Sequence, residues 1–186
     1  MQCFTKTDMD KITNNIWIWN LGSALNTTNL KRLGITKTLA VMENTAPTYS
    51  IEDNILQRIV KVADSPLQNV IQYFGDCINF INGEENILVH CMGGTSRSPT
   101  FVIAYIMWKY NLPYKKAFEL VNSKRPFIIP NDGFKLQLKL FETLLIENNY
   151  DIDRIDFKNI FWSDKVYNYY LNNYNLINNS VKFWNY

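Results

Sequence analysis

The apolar positions along the chain fall into short runs that alternate with helical stripes. Ile16-Trp17-Ile18-Trp19 is β-branched and aromatic, stops at Asn20-Leu21-Gly22-Ser23, and reads as a strand. Thr38–Met42 and Leu56–Val62 read as two more. Ile87-Leu88-Val89, wholly apolar, has the composition of a strand buried on both faces. Between them lie a short helical stretch over Asn26–Leu33, closed by Gly34, and a longer one over Leu67–Ile81. In the second, Val70, Ile71, Phe74, Ile78 and Ile81 recur at helical spacing.

From residue 98 onward the pattern is helical. Ser98 suits an N-cap and Pro99 the N1 position, and Phe101–Tyr110 is apolar on nearly every side. Pro113 opens a helix over Tyr114–Val121, and a third runs from Gly133 to Ile146 with Phe134, Leu138, Phe141 and Leu145 on one stripe. Strands alternating with helices predict an α/β fold, with a central, mostly parallel twisted sheet flanked by helices. Ligands of such sheets bind at the carboxyl ends of strands, which directs attention to residues 90–98.

The pattern changes after Glu147. We read one domain over 1–147 and an Asn/Tyr-rich C-terminal extension over 148–186 that includes Phe157, Phe161, Trp162, Phe183 and Trp184. So many aromatic residues argue against a solvated tail and for an appendage packed on the domain; a dimer or partner surface is the sharper alternative.

Composition narrows the chemistry. The 186 residues, 47% hydrophobic, suit one α/β domain with an extension. With 19 basic against 17 acidic side chains, neither a nucleic acid nor a membrane surface is an expected partner. The single histidine, His90, argues against catalytic zinc, which takes several His or Cys ligands, so no metal is expected. Three scattered cysteines, Cys3, Cys77 and Cys91, make no disulfide framework. Met1–Lys6 carries no apolar run of a signal peptide, and no stretch approaches the ~20 apolar residues of a membrane span. An intracellular location, cytoplasmic or nuclear, follows as the expectation.

The informative stretch is Val89-His90-Cys91-Met92-Gly93-Gly94-Thr95-Ser96-Arg97-Ser98-Pro99. A tight loop over Met92, Gly93, Gly94, Thr95 and Ser96 can turn successive backbone N–H groups inward as an anion nest. The helix that follows aims its positive end at the same point, and Arg97 adds a fork matched to two phosphate oxygens. Such a cradle suits a tetrahedral dianion. A thiol in that field loses its proton readily, which makes Cys91 the nucleophile without a general base. His90 precedes it on a strand and points to the other side, so it reads as a buried, hydrogen-bonded scaffold residue. Ser98 is placed to donate its hydroxyl to the Cys91 sulfur.

His90-Cys91-x5-Arg97-Ser98-Pro99-Thr100 resembles the signature of the dual-specificity phosphatases, within the cysteine-dependent protein tyrosine phosphatases. Ile16–Ser23 is similar to the opening strand and Gly-Ser turn of that family, and Arg125–Phe134, with Gln137-Leu138 and Phe141-Glu142, to its late helices. The resemblance runs from about Ile12 to Leu145 and lacks an N-terminal kinase-docking domain, as in small stand-alone ("atypical") members. Gly93 stands where many members carry alanine or a larger residue, which implies a more pliable loop.

The resemblance implies an Asp general acid on a loop before the helix that precedes the signature strand. Asp64, in Ala63-Asp64-Ser65-Pro66, fits that register better than Asp53 or Asp76. It further implies a phosphocysteine intermediate, a phosphoprotein substrate and no cofactor. Arg125 is a candidate for meeting a second phosphate or an acidic side chain near the pocket, with a structural role as the open alternative, and Asn131 for a supporting role behind the site. Small viral members of the family are analogues, some of them homodimers. Two alternatives stay open: a phosphatase of RNA 5′-triphosphates, phosphoinositides or phosphoglucans, and a phosphoprotein-binding pseudophosphatase. The absence of lysine from residues 92–96 lowers the lipid reading, and the even charge balance lowers the RNA reading.

Overall fold

The structure, a computed structural model, describes residues 9–162 and 166–168. Cys3, Phe183 and Trp184 lie outside the described residues. The strands are β1 (Asp10–Lys11), β2 (Ile16–Trp19), β3 (Ile35–Met42), β4 (Leu56–Lys61) and β5 (Asn86–His90). They form one sheet in the order β1-β2-β5-β3-β4, parallel throughout except at the β1 edge. The helices are α1 (Leu21–Ala24), α2 (Thr27–Arg32), α3 (Phe74–Ile81), α4 (Arg97–Lys109), α5 (Tyr114–Lys124) and α6 (Asp132–Glu147).

β5 lies between β2 and β3, and its residues from Ile87 to His90 are buried, as its unbroken apolar run requires. Alternation sorts its side chains by face. Ile87, Val89 and then Cys91 join the large core under α3–α6, whereas Leu88 joins the smaller core with Trp17, Ala24 and Leu30. His90, at the carboxyl end of β5, is flanked by Trp19 of β2 and Ala40 of β3.

α4 is buried from Arg97 to Met107 and runs through the middle of the larger core. Phe74 of α3 meets Phe101 of α4 edge-on at 5.5 Å and Phe141 of α6 at 5.2 Å. Each such ring pair is worth ~0.5–1.5 kcal/mol beyond its buried area. The helix carrying the loop's positive end is thereby locked to its neighbours.

Two predicted helix starts move. The segment from Leu67 is not helical until a 3₁₀ turn at Ile71–Tyr73 leads into α3, because the buried Gln137 Oε1 takes the N–H groups of Val70 and Ile71. α4 begins at Arg97, not after an N-cap at Ser98. The N-cap is Ser96, and it makes no side-chain cap bond. Both serine hydroxyls are engaged in the site.

Candidate active site

The loop between β5 and α4 is held from outside by its carbonyls. The Leu21 N–H donates to Met92 O at 3.1 Å, and the Ile129 N–H to Thr95 O at 2.7 Å. Arg125 Nε donates to Gly94 O at 2.7 Å, and its NH2 nitrogen to Gly93 O at 3.4 Å. A trans peptide points its N–H opposite its C=O. Four consecutive carbonyls turned outward therefore turn the N–H groups of Gly93, Gly94, Thr95 and Ser96 inward. That is an anion nest, built by anchoring its reverse side.

Gly94 is the residue this geometry cannot replace. Its φ is +69°, and a Cβ there would stand 2.6 Å from Trp19 O and 2.7 Å from Arg125. A Cβ on Gly93 would meet only Thr95 Oγ1, at 3.5 Å. Van der Waals space alone does not demand glycine at 93.

Cys91 is 2% exposed at the floor of the loop. Its sulfur accepts two hydrogen bonds, from the Gly94 N–H at 3.2 Å and from Ser98 Oγ at 3.3 Å. Two donors on one sulfur hold it in place for attack and support it again as a leaving group. Arg97 is 9% exposed and donates to Val62 O at 3.3 Å, while its Nε is buried without a hydrogen-bond partner. A buried guanidinium N–H held open next to an anion nest is a donor poised for an oxygen ligand.

Asp64 approaches from the loop after β4. Its Oδ1 accepts from Ser96 Oγ at 2.7 Å and from Asn131 Nδ2 at 2.9 Å, and its Oδ2 lies 3.7 Å from Arg97 Nε. Asn131 also caps α6 through its Oδ1 on the Phe134 N–H. Asp64 Oδ1 and the signature loop are thus joined by one Ser96 hydroxyl, which accepts in turn from the Asn131 N–H at 3.3 Å.

The structure brings Cys91, Arg97, Ser98, Ser96, Asp64 and Asn131 together and corrects two other expectations. Arg125 does not face outward to meet a second phosphate. It is 1% exposed, ion-paired with Asp10 at 2.5 Å, and sandwiched against the Trp19 and Phe127 rings at 4.4 and 4.2 Å. Its donors are taken by Asp10 and the two glycine carbonyls. Burial lowers its pKa, opposed by Asp10 and by the charge on Cys91, so it belongs to the field around the thiol from behind the loop. His90 is buried, but neither ring nitrogen has a hydrogen-bond partner. Burial pushes its pKa down to about 4, only partly offset by the Cys91 backbone. It is a neutral buried group whose polar contact with the Cys91 backbone falls short of a full hydrogen bond.

Sequence reasoning missed Asp10, Trp19 and Gln137. Asp10 had no signal, since β1 is a two-residue strand. Met92 stands 56% exposed at the rim, with Ile129 nearby in the chain that anchors Thr95. Among the described residues no cluster of His, Cys, Asp or Glu could hold a metal, and no helix is long and apolar enough to cross a membrane.

The family profile of the dual specificity phosphatase catalytic domain matches residues 16–144. Dual specificity protein phosphatase 1B of Arabidopsis thaliana is 37% identical over 139 residues, covering 73% of this chain and 82% of that protein. Dual specificity protein phosphatase MPK-4 of Drosophila melanogaster is 36% identical over 141 residues, which are 73% of this chain but 36% of the fly protein. Among solved structures, DUSP15 aligns with a TM-score of 0.69 at 31% identity, covering 79% of this chain and 96% of that one. The human tyrosine phosphatase-like serine/threonine/tyrosine-interacting protein aligns with a TM-score of 0.70 at 30% identity, covering 76% and 99%.

Proposed function

The chain belongs to the dual specificity phosphatase family and is a cysteine-dependent protein phosphatase; we propose that it acts on phosphotyrosine and on phosphoserine or phosphothreonine, with Cys91 as nucleophile, Arg97 as phosphate ligand and Asp64 as general acid. The observation that carries the assignment is the Cys91 sulfur, with two donors on it, at the floor of a ring of inward-facing amides.

A phosphoryl dianion seats its oxygens on the amides of 93–96 and draws the Arg97 fork away from Asp64. The thiolate attacks phosphorus in line. The S–P bond forms as the P–O bond to the substrate breaks, and Asp64 delivers its proton to the departing oxygen. Water then attacks the phosphocysteine, with Asp64 accepting its proton. The P–S bond breaks, inorganic phosphate leaves, and the Cys91 thiolate recovers its bonds from Ser98 and Gly94.

The substrate assignment is tested by turnover of matched peptides carrying phosphotyrosine, phosphothreonine or both, beside triphosphate-ended RNA and phosphoinositide vesicles. Hydrolysis of both phosphopeptide types is the expected result; RNA or lipid turnover without peptide turnover would overturn it.

A further inference from the structure

Residues 148–162, which follow α6, cross back over the loop that carries Asp64. Ile152 and Ile155 are buried in the larger core. The Phe157 ring fills the space over Gly75, so that a Cβ there would stand 2.7 Å from it, and it packs on Phe141 at 5.9 Å. The segment then bonds the acid loop twice. Asn69 Nδ2 donates to Ile160 O at 2.9 Å, and Trp162 Nε1 donates to Pro66 O at 2.9 Å. The Trp162 indole is 7% exposed and lies against the Tyr167 ring at 6.3 Å.

Pro66 is two residues from Asp64 and is held on its other side by the start of α6. A Cβ on Gly133 would fall 2.0 Å from Pro66 O, a closeness only glycine permits. Inside the loop, Gln137 Nε2 donates to Gln68 O and Gln68 Oε1 accepts from the Ala63 N–H. The segment Ala63–Asn69 is therefore clamped between α6 and a strap, residues 155–162, that lies beyond the 16–144 span of the family profile.

We propose that this strap is a positioning element of the phosphatase reaction, with Trp162 fixing the Pro66 carbonyl so that the Asp64 carboxyl stays in line with the departing oxygen. The proposal rests on Asp64 as general acid. Trp162 touches no reacting atom and acts through the loop backbone. General-acid catalysis depends on placement within hydrogen-bond reach, and it matters most when the leaving group is a poor one.

The test uses the full chain. Trp162→Phe keeps an aromatic ring and removes the N–H donor; Asn69→Leu removes the second bond. Turnover is measured on a phosphotyrosine peptide, a poor leaving group, and on an activated aryl phosphate whose phenolate leaves unaided. Loss of one buried hydrogen bond at about 1 kcal/mol gives about a fivefold fall in kcat on the peptide for Trp162→Phe, with a smaller fall on the activated ester. In an Asp64→Asn background the same substitution should add nothing to the leaving-group dependence. Equal losses on both substrates, or an undiminished loss in the Asp64→Asn background, would reduce Trp162 to a stability role and overturn the proposal while leaving Asp64 in place. An Asp64→Asn variant that loses both substrates equally would instead remove Asp64 as the acid, and this inference with it.

Discussion

Asn131 Nδ2 stands 2.9 Å from Asp64 Oδ1, so the residue that caps α6 also holds the carboxyl over the signature loop. The two tasks use opposite ends of one amide. Asn131→Asp keeps an oxygen on the Phe134 N–H and so preserves the cap, but it sets a second carboxylate against Asp64. We expect near wild-type thermal stability with kcat on phosphotyrosine peptides reduced about tenfold. An Asn131→Asp protein with unchanged turnover at neutral pH would show that Asp64 needs no such support.

Gly93 and Gly94 are adjacent and unequal. Gly94→Ala forces a Cβ into Trp19 O and Arg125 at φ +69°, so the nest distorts and turnover should fall by ~10²-fold or more. Gly93→Ala meets only Thr95 Oγ1 at 3.5 Å and should retain most of its activity. Steady-state kinetics of the pair checks both; equal losses would contradict the assignment of loop strain to Gly94.

Arg125 holds the loop from behind rather than binding substrate. Arg125→Lys cannot span Asp10, Gly93 and Gly94 together, because a single ammonium lacks the planar fork. Activity should drop ~10-fold or more by the same factor on singly and doubly phosphorylated peptides. A loss confined to the doubly phosphorylated peptide would return Arg125 to a substrate-binding role.

His90 gives the fold a pH dependence whose sign is fixed by its burial. Its folded pKa of about 4 lies below the ordinary 6.5, so between those values the unfolded chain binds a proton that the folded chain does not. Stability is fully present above about pH 6.5 and is lost as the pH falls toward 4, by on the order of 3 kcal/mol in all. Chemical denaturation from about pH 7.5 to 4.5 should show this slope in the wild type and a flatter one in His90→Gln. Identical slopes would place the acid sensitivity elsewhere.

The legible parts of this molecule are those whose chemistry is contiguous. Cys91, the glycines, Arg97 and Ser98 sit in one short run, and β5 announces its central place by being apolar throughout. The α4 start is not legible locally, because Ser98 gives its hydroxyl to the Cys91 sulfur and Ser96 gives its own to Asp64, so neither is left to cap the helix. The choice between a substrate-facing and a structural Arg125 is not legible locally, because its partner Asp10 is 115 positions away, on a strand of two residues. The Leu67–Ile81 stripe was true for burial but not for helix, since Gln137 intercepts the backbone donors of Val70 and Ile71 from across the core. Nothing local to Trp162 signals Pro66 as its acceptor.

The central claim, that phosphate passes through the Cys91 sulfur, is tested most directly by acid-quenching the enzyme during turnover of an aryl phosphate and mapping the phosphoryl adduct by mass spectrometry. A phosphoryl group is expected on the peptide containing Cys91, accumulating further in Asp64→Asn once an activated substrate is used, with no adduct or turnover in Cys91→Ser. An adduct on another residue, or a Cys91→Ser enzyme that turns over at the wild-type rate, would contradict it.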